Sequence, residues 1–279
     1  MKWLLQNVHR RAAFAVKNPR YVLNAMVREL TSADERFLAR LSGSSPRQIR
    51  IYLDEPINTL AFAAHLHNEQ AHFRSLSIES ANLSIKKILN QYAAVRAIAP
   101  DCIVETGVAN GVSSSYLLLE LERNKRGHLH SIGLGDRAFL LVGRDLGWLV
   151  PEWLRATWQV HLGDARDILP RLLNRLGKIG VFIHDSLHTY DHMMWEFETA
   201  YPHLLSGGLL ISDDALWNNS FYESRARRCR LSAVLAFYER ITRVLALHWV
   251  DRGNCEGTCW WFKKGETASR TDQACCGLA

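Results

Sequence analysis

The segment Ile103-Val104-Glu105-Thr106-Gly107-Val108-Ala109-Asn110-Gly111-Val112-Ser113-Ser114 constrains this chain more than any other. A β-branched apolar run closes on an acid. Two glycines four apart follow, and small hydroxyl residues then lead into Tyr116-Leu117-Leu118-Leu119. Such a pattern predicts a buried parallel strand, a tight turn and the start of a helix. Gly107 permits a turn at φ > 0, and Gly111 leaves a helix N-terminus open to close approach by a ligand. The spacing is not GxGxxG, and no Gly-Lys-Ser/Thr follows to make a phosphate loop.

From residue 101 onward, strand-like and helix-like stretches alternate. Gly127–Ile132 and Thr157–Leu162 read as the second and third strands, the latter followed by Gly163-Asp164 and a helix Ala165–Leu173. Val181-Phe182-Ile183-His184-Asp185 and Leu209-Leu210-Ile211-Ser212-Asp213-Asp214 read as the fourth and fifth. Leu245–Val250 and Thr258–Phe262, separated by Asp251-Arg252-Gly253-Asn254, read as a closing hairpin. This order predicts a mostly parallel sheet with helices on both faces. Residues 1–95 lack strand alternation and read as a helical extension, with a helix start at Ser32-Ala33-Asp34-Glu35 and a linker at Ser42–Pro46. The expected boundaries are therefore a helical extension over 1–95, an α/β domain over 96–264, and a disordered tail from 265.

Charge narrows the partners. The net charge is +6, but residues 1–50 hold ten Lys/Arg against three Asp/Glu, so the remainder is close to neutral. A nucleic-acid-coating surface is not indicated. No apolar run approaches the ~18 residues of a membrane span. The N-terminal segment around Trp3, Leu4, Val8, Ala12, Ala15 and Val16 is basic and amphipathic. It reads first as a cap helix on the domain or on a second subunit, and second as a peripheral contact with an anionic membrane. Six cysteines show no disulfide framework. A cytoplasmic protein is expected, and the helical extension suggests a homo-oligomer.

The acids at the strand ends carry the chemistry. Ligands of open α/β sheets bind beyond the C-terminal edge of the strands. Asp185 closes the fourth strand there, and Asp213 and Asp214 close the fifth. Three carboxylates and no cysteine form a hard donor set suited to Mg²⁺ or Mn²⁺. His188, three residues after Asp185, is placed to act as a general base near neutral pH. His184 and His192 read as structural, and Tyr190 as a candidate pocket residue. The loop Ala215–Tyr222, mixing aromatics with amides, suits a sugar or small polyhydroxylated acceptor.

An acid at the first strand's end followed by Gly-x-x-x-Gly resembles the first motif of class I S-adenosylmethionine-dependent methyltransferases. Asp-x-x-His-x-Tyr after the fourth strand and Gly-Gly-x-x-x-x-Asp-Asp into the fifth are similar to metal-dependent O-methyltransferases, catechol-type and macrocin-type. The histidine follows the macrocin-type pattern. The resemblance spans about residues 95–264. It implies a Rossmann-like doubly wound sheet of seven strands with a C-terminal antiparallel hairpin. It also implies S-adenosylmethionine contacts at Glu105, Gly107, Gly111, Ser113, Asp136, Asp164 and Asp185, and methylation of a hydroxyl on a small molecule or glycan. By the same resemblance, Asp185 and His188 are catalytic, Asp185, Asp213 and Asp214 hold the metal, and Asp164 addresses the adenine; by its position Asp164 also suits a helix cap. The family places an acid at the end of the second strand to hold the ribose; here Gly133 stands there, and the nearest acid is Asp136. Two other readings of the fold are a non-catalytic binding or membrane-associated scaffold and a nicotinamide-dependent oxidoreductase. The absent third glycine and the acidic pair disfavour the latter.

Overall fold

A computed structural model describes residues 33–75, 85–135, 140, 143–213, 215, 218, 220–221, 223–224 and 260–263. Four helices precede the sheet: α1 Ala33–Ser42, α2 Pro46–Asn58, α3 Leu60–Ser75 and α4 Ile85–Ile98. The Ser42–Pro46 linker is the α1–α2 turn. There Ser45 caps α2 by accepting a hydrogen bond from the Gln48 amide, and Pro46 sits at the first helical position. Then come β1 Cys102–Thr106, α5 Val112–Asn124, β2 His128–Gly133 and β3 Trp158–Leu162. After these follow α6 Ala165–Leu176, β4 Ile179–His184, α7 Tyr190–Ala200, β5 Leu204–Ser212 and β6 Trp260–Lys263.

The strands lie in the order β3-β2-β1-β4-β5-β6. The first five are parallel, and β6 runs antiparallel to β5. This is the Rossmann-like α/β architecture expected. The described sheet has six strands. The first arm of the expected hairpin, Leu245–Val250, and the 265–279 tail lie outside the described residues.

Side-chain alternation divides the core in two, because successive strand residues point to opposite faces. Ile103, Leu129, Val181, Ile183, Leu209 and Ile211 pack with Leu38, Ile49, Phe62, Tyr92 and Leu117 from the helices on one face. Val104, Phe182 and Leu210 pack with Leu169, Leu173, Met193 and Phe197 of α6 and α7 on the other.

Partly buried polar groups link α2 to α4 and α4 to α5. Glu55 of α2 accepts hydrogen bonds from the Tyr92 hydroxyl at 2.7 Å and from Arg96 Nε at 2.9 Å, both on α4. Asn124 bridges Arg96 to Glu120 of α5. Burial is the main cause that pushes the Glu120 carboxyl up to about 8. Among the described residues, no helix is long and apolar enough to cross a membrane.

Candidate active site

The β1–α5 turn sits where parallel strands leave a crevice, and its glycines are required by contacts within the chain. Gly107 has φ +94°, and a Cβ there would lie 1.8 Å from the Asp185 carbonyl oxygen. The glycine turn and the end of β4 are therefore in backbone contact. Gly111, at φ +89°, is the residue before α5. The space its side chain would fill holds Gly147 Cα, 2.6 Å from the ideal Cβ. Here the close approach expected of a ligand is made by the 147–149 segment. Gly147 N donates to Ala109 O at 2.7 Å, and Leu149 N to Asn110 O at 3.0 Å. Trp148 adds an indole N–H bond to Asn110 Oδ1, and His65 of α3 donates to Leu149 O at 2.9 Å.

Gly133 has the same kind of explanation. A Cβ at 133 would stand 2.7 Å from the Val108 carbonyl oxygen, so the turn itself fills the space a side chain there would need. Val108 N and Gly107 N both donate to Ile132 O, which draws the turn against β2. Asp136, the nearest acid in sequence, lies outside the described residues. Asp164 caps α6, accepting the Arg166 amide at 2.8 Å.

Glu105 is buried, and its carboxylate accepts bonds from Ser113 at 3.1 Å, Ser114 at 2.9 Å and Ser131 at 2.8 Å. Ser131 accepts in turn from the Trp158 indole. Glu105 and Ser113 thus tie β1, α5, β2 and β3 together beneath the turn. Burial raises the Glu105 pKa, and the three hydroxyl donors lower it by less than burial raises it.

The acids of β4 and β5 converge. Asp185 N donates to Thr106 O at 3.0 Å and Asp213 N to His184 O at 2.8 Å, which fastens both acids to neighbouring strand ends. One ligand atom from each of Asp185, His188 and Asp213 lies within 4.8 Å of the others. His188 Nε2 is 3.8 Å from Asp185 Oδ1. The two carboxylates at such spacing fit a divalent ion, with the His188 imidazole beside them. Asp214 lies outside the described residues. The Tyr190 hydroxyl donates to Glu223.

A second buried acid, Glu196 of α7, was missed by sequence reasoning. Its Oε2 accepts from Thr106 at 2.7 Å and from His184 Nδ1 at 2.6 Å. Oε1 accepts from Ser186 at 2.8 Å and pairs with His192 Nε2 at 3.0 Å. Burial alone would raise its pKa. Hydrogen bonds from His184, His192 and Thr106, with the His184 charge, outweigh burial and hold it at about 2. Ser186 lies between Asp185 and His188, so Glu196 pins the loop that carries both. His184 also packs edge-on against the His188 ring, with centroids 5.2 Å apart. The sequence offers one weak signal, the i,i+4 spacing of His192 and Glu196 on α7.

A separate surface cavity of about 320 Å³ lies between α2 and α5, lined by Ile51, Asp54, Glu55, Asn58, Thr59 and Arg123, and none of the site residues above line it.

Residues 104–215 match the family described as a methyltransferase domain. No curated protein matches the chain. Among solved structures, the O-methyltransferase TomG from Streptomyces achromogenes is 17% identical, with 72% of this chain and 90% of that one covered at a TM-score of 0.46. An O-methyltransferase from Bacillus cereus is 15% identical, covering 71% and 86%, at 0.45. CalS11, a TDP-rhamnose 3'-O-methyltransferase, is 18% identical, covering 70% and 84%, at 0.39.

Proposed function

We propose, from the premise that residues 104–215 of this chain are an S-adenosylmethionine-dependent methyltransferase domain, that it methylates a hydroxyl of a small molecule or sugar with His188 as the base. The observation that carries this reading is the convergence of Asp185, His188 and Asp213 on the sheet edge that also holds the Gly107 turn.

The reaction needs few groups. The acceptor hydroxyl loses its proton to His188 as its oxygen takes the methyl group. The S–CH₃ bond breaks, an O–CH₃ bond forms, and the positively charged sulfonium becomes a neutral thioether. The protein has to align donor and acceptor and receive one proton. Hydrogen bonds from the Asp185 and Asp213 amides to adjacent strand ends limit how far those carboxylates can drift. Glu196, through Ser186, limits the movement of the base. Asp185 and Asp213, with Asp214 beside them in sequence, are the residues that would hold a divalent ion. Bound there, it would lower the pKa of the acceptor hydroxyl and orient it. Glu105, Gly107, Gly111 and Ser113 shape the turn over which the methyl donor lies, and Asp164 closes its far side. The helical residues before β1 serve as a cap, since His65 bears on the segment that covers Gly111.

The test is His188→Ala, with S-adenosylhomocysteine affinity measured by calorimetry beside turnover on a panel of hydroxylated acceptors. Turnover should fall by roughly 10²–10⁴-fold while affinity for the donor product stays near wild type. A near-native rate would remove His188 from the reaction. A folded protein that binds no S-adenosylhomocysteine would remove the reaction itself.

A further inference from the structure

Lys87 stands in the first turn of α4, and its ammonium is ion-paired with Asp213 Oδ1. The two side chains are only 11% and 12% exposed. This is the same carboxylate that converges with Asp185 and His188. Two carboxylates drawn to one strand edge repel each other unless a positive charge offsets them. The chain supplies that charge from its own helical extension.

The anchor of this lysine is fixed. Farther along α4, Tyr92 and Arg96 are bonded to Glu55 of α2. The helix therefore holds its place while the four-carbon stem of Lys87 can swing. A lysine ammonium is a compact charge on a flexible stem, unlike the planar fork of arginine. It can leave a carboxylate without the backbone moving.

We propose that Lys87 is a tethered cation that occupies Asp213 and has to be released before a divalent ion can use that carboxylate. The inference rests on the metal reading of Asp185 and Asp213 given above. An ammonium and a divalent ion on one partly buried carboxylate repel strongly, because surrounding water screens them little. Loading of the ion and withdrawal of Lys87 are thus one event, and the helical extension is coupled to the acid rim through it.

The experiment is a calorimetric titration of Mn²⁺ into wild-type protein, Lys87→Met and Asp213→Asn, with folding checked by circular dichroism. Methionine keeps the apolar stem and removes the charge. Lys87→Met should bind Mn²⁺ roughly tenfold more tightly or better, and Asp213→Asn should bind it more weakly than wild type. Equal affinity in wild type and Lys87→Met, with Asp213→Asn weakened, overturns the competition and leaves the metal site standing. If neither wild type nor Lys87→Met takes up Mn²⁺, the metal reading falls and the inference with it. Should Lys87→Met not fold, wild-type protein decides the matter by dilute N-hydroxysuccinimide acetylation read by peptide mass spectrometry. Acetylation of Lys87 should speed up several-fold at a Mn²⁺ concentration that the wild-type titration shows to be saturating. An unchanged rate overturns the proposal.

Discussion

Glu105 and Glu196 sit on opposite sides of Thr106, both buried, both with hydrogen bonds at each oxygen, yet their pKa values move in opposite directions. Glu105 is surrounded by serine hydroxyls, and burial wins, so its pKa rises. Glu196 faces His184 and His192 as well as hydroxyls, and its pKa falls to about 2. The difference lies in the donors. A hydroxyl can rotate to donate or accept, and so it serves a carboxylate or a carboxylic acid. An imidazole held in place beside a carboxylate adds charge to the hydrogen bond and favours the ionised form. Burial alone therefore does not decide whether an acid is charged.

The most severe way to break this contrast is to delete the ionised partner. Glu196→Ala leaves His184 and His192 facing an apolar hole and takes away one of the Ser186 hydroxyl's two partners. Unfolding in urea at pH 7 should show a loss of about 3–5 kcal/mol, the usual cost of removing one member of a buried charged network. The acid limb sharpens the test. The carboxyl's unfolded value is 4.5 and its folded value is about 2. The stability contributed by ionised Glu196 is thus present above pH 4.5 and lost as pH falls toward 2. The gap between wild type and Glu196→Gln should narrow over that window. A gap that stays constant from pH 7 to pH 2 would mean that Glu196 is not held ionised.

Glu120 extends the comparison to a third donor set, and its effect is smaller. It has the Asn124 amide, with Arg96 near by, and its carboxyl lies at about 8. The sign is the reverse of that for Glu196. A raised folded pKa means the fold binds a proton that the unfolded chain gives up above pH 4.5, so stability falls as pH climbs from 4.5 to 8. Glu120→Gln removes that loss. It should be near neutral at pH 4.5 and gain steadily as pH rises to about 8, by at most about 1.4 kcal/mol per pH unit, in urea midpoints. A gain independent of pH would place Glu120 among the ionised acids.

These three acids also mark what the sequence could and could not reveal. The strand-end acids Asp185 and Asp213 were legible because the C-terminal edge of a parallel sheet is set by chain direction alone. The turn at Gly107 was legible because its spacing demands positive φ. Glu196 was not, since its partners Thr106 and His184 are 90 and 12 residues away, and on α7 it looks like any helical glutamate. That no acid stands at 133 could be seen, but not that the folded turn brings the Val108 carbonyl against β2 there. The spacing around Gly111 shows that close approach is possible but not that the 147–149 segment is what makes it. Lys87 escaped notice for a related reason: the sequence of α4 does not show that its first turn passes the end of β5.

The smallest expected effect falls at Glu105, where it separates two roles for one residue. If Glu105 only ties Ser113, Ser114 and Ser131 together, Glu105→Gln keeps one acceptor oxygen, and the hydroxyls can reorient around the amide. The cost should then stay near a single net hydrogen bond, no more than about 1 kcal/mol in urea. S-adenosylhomocysteine affinity should change little. If the carboxylate also reaches the methyl donor, affinity should drop by tenfold or more while stability barely moves. The first outcome keeps Glu105 as the hydroxyl-fed counterpart of Glu196. The second turns the contrast from one between two structural acids into one between an acid that meets the donor and an acid that positions the base.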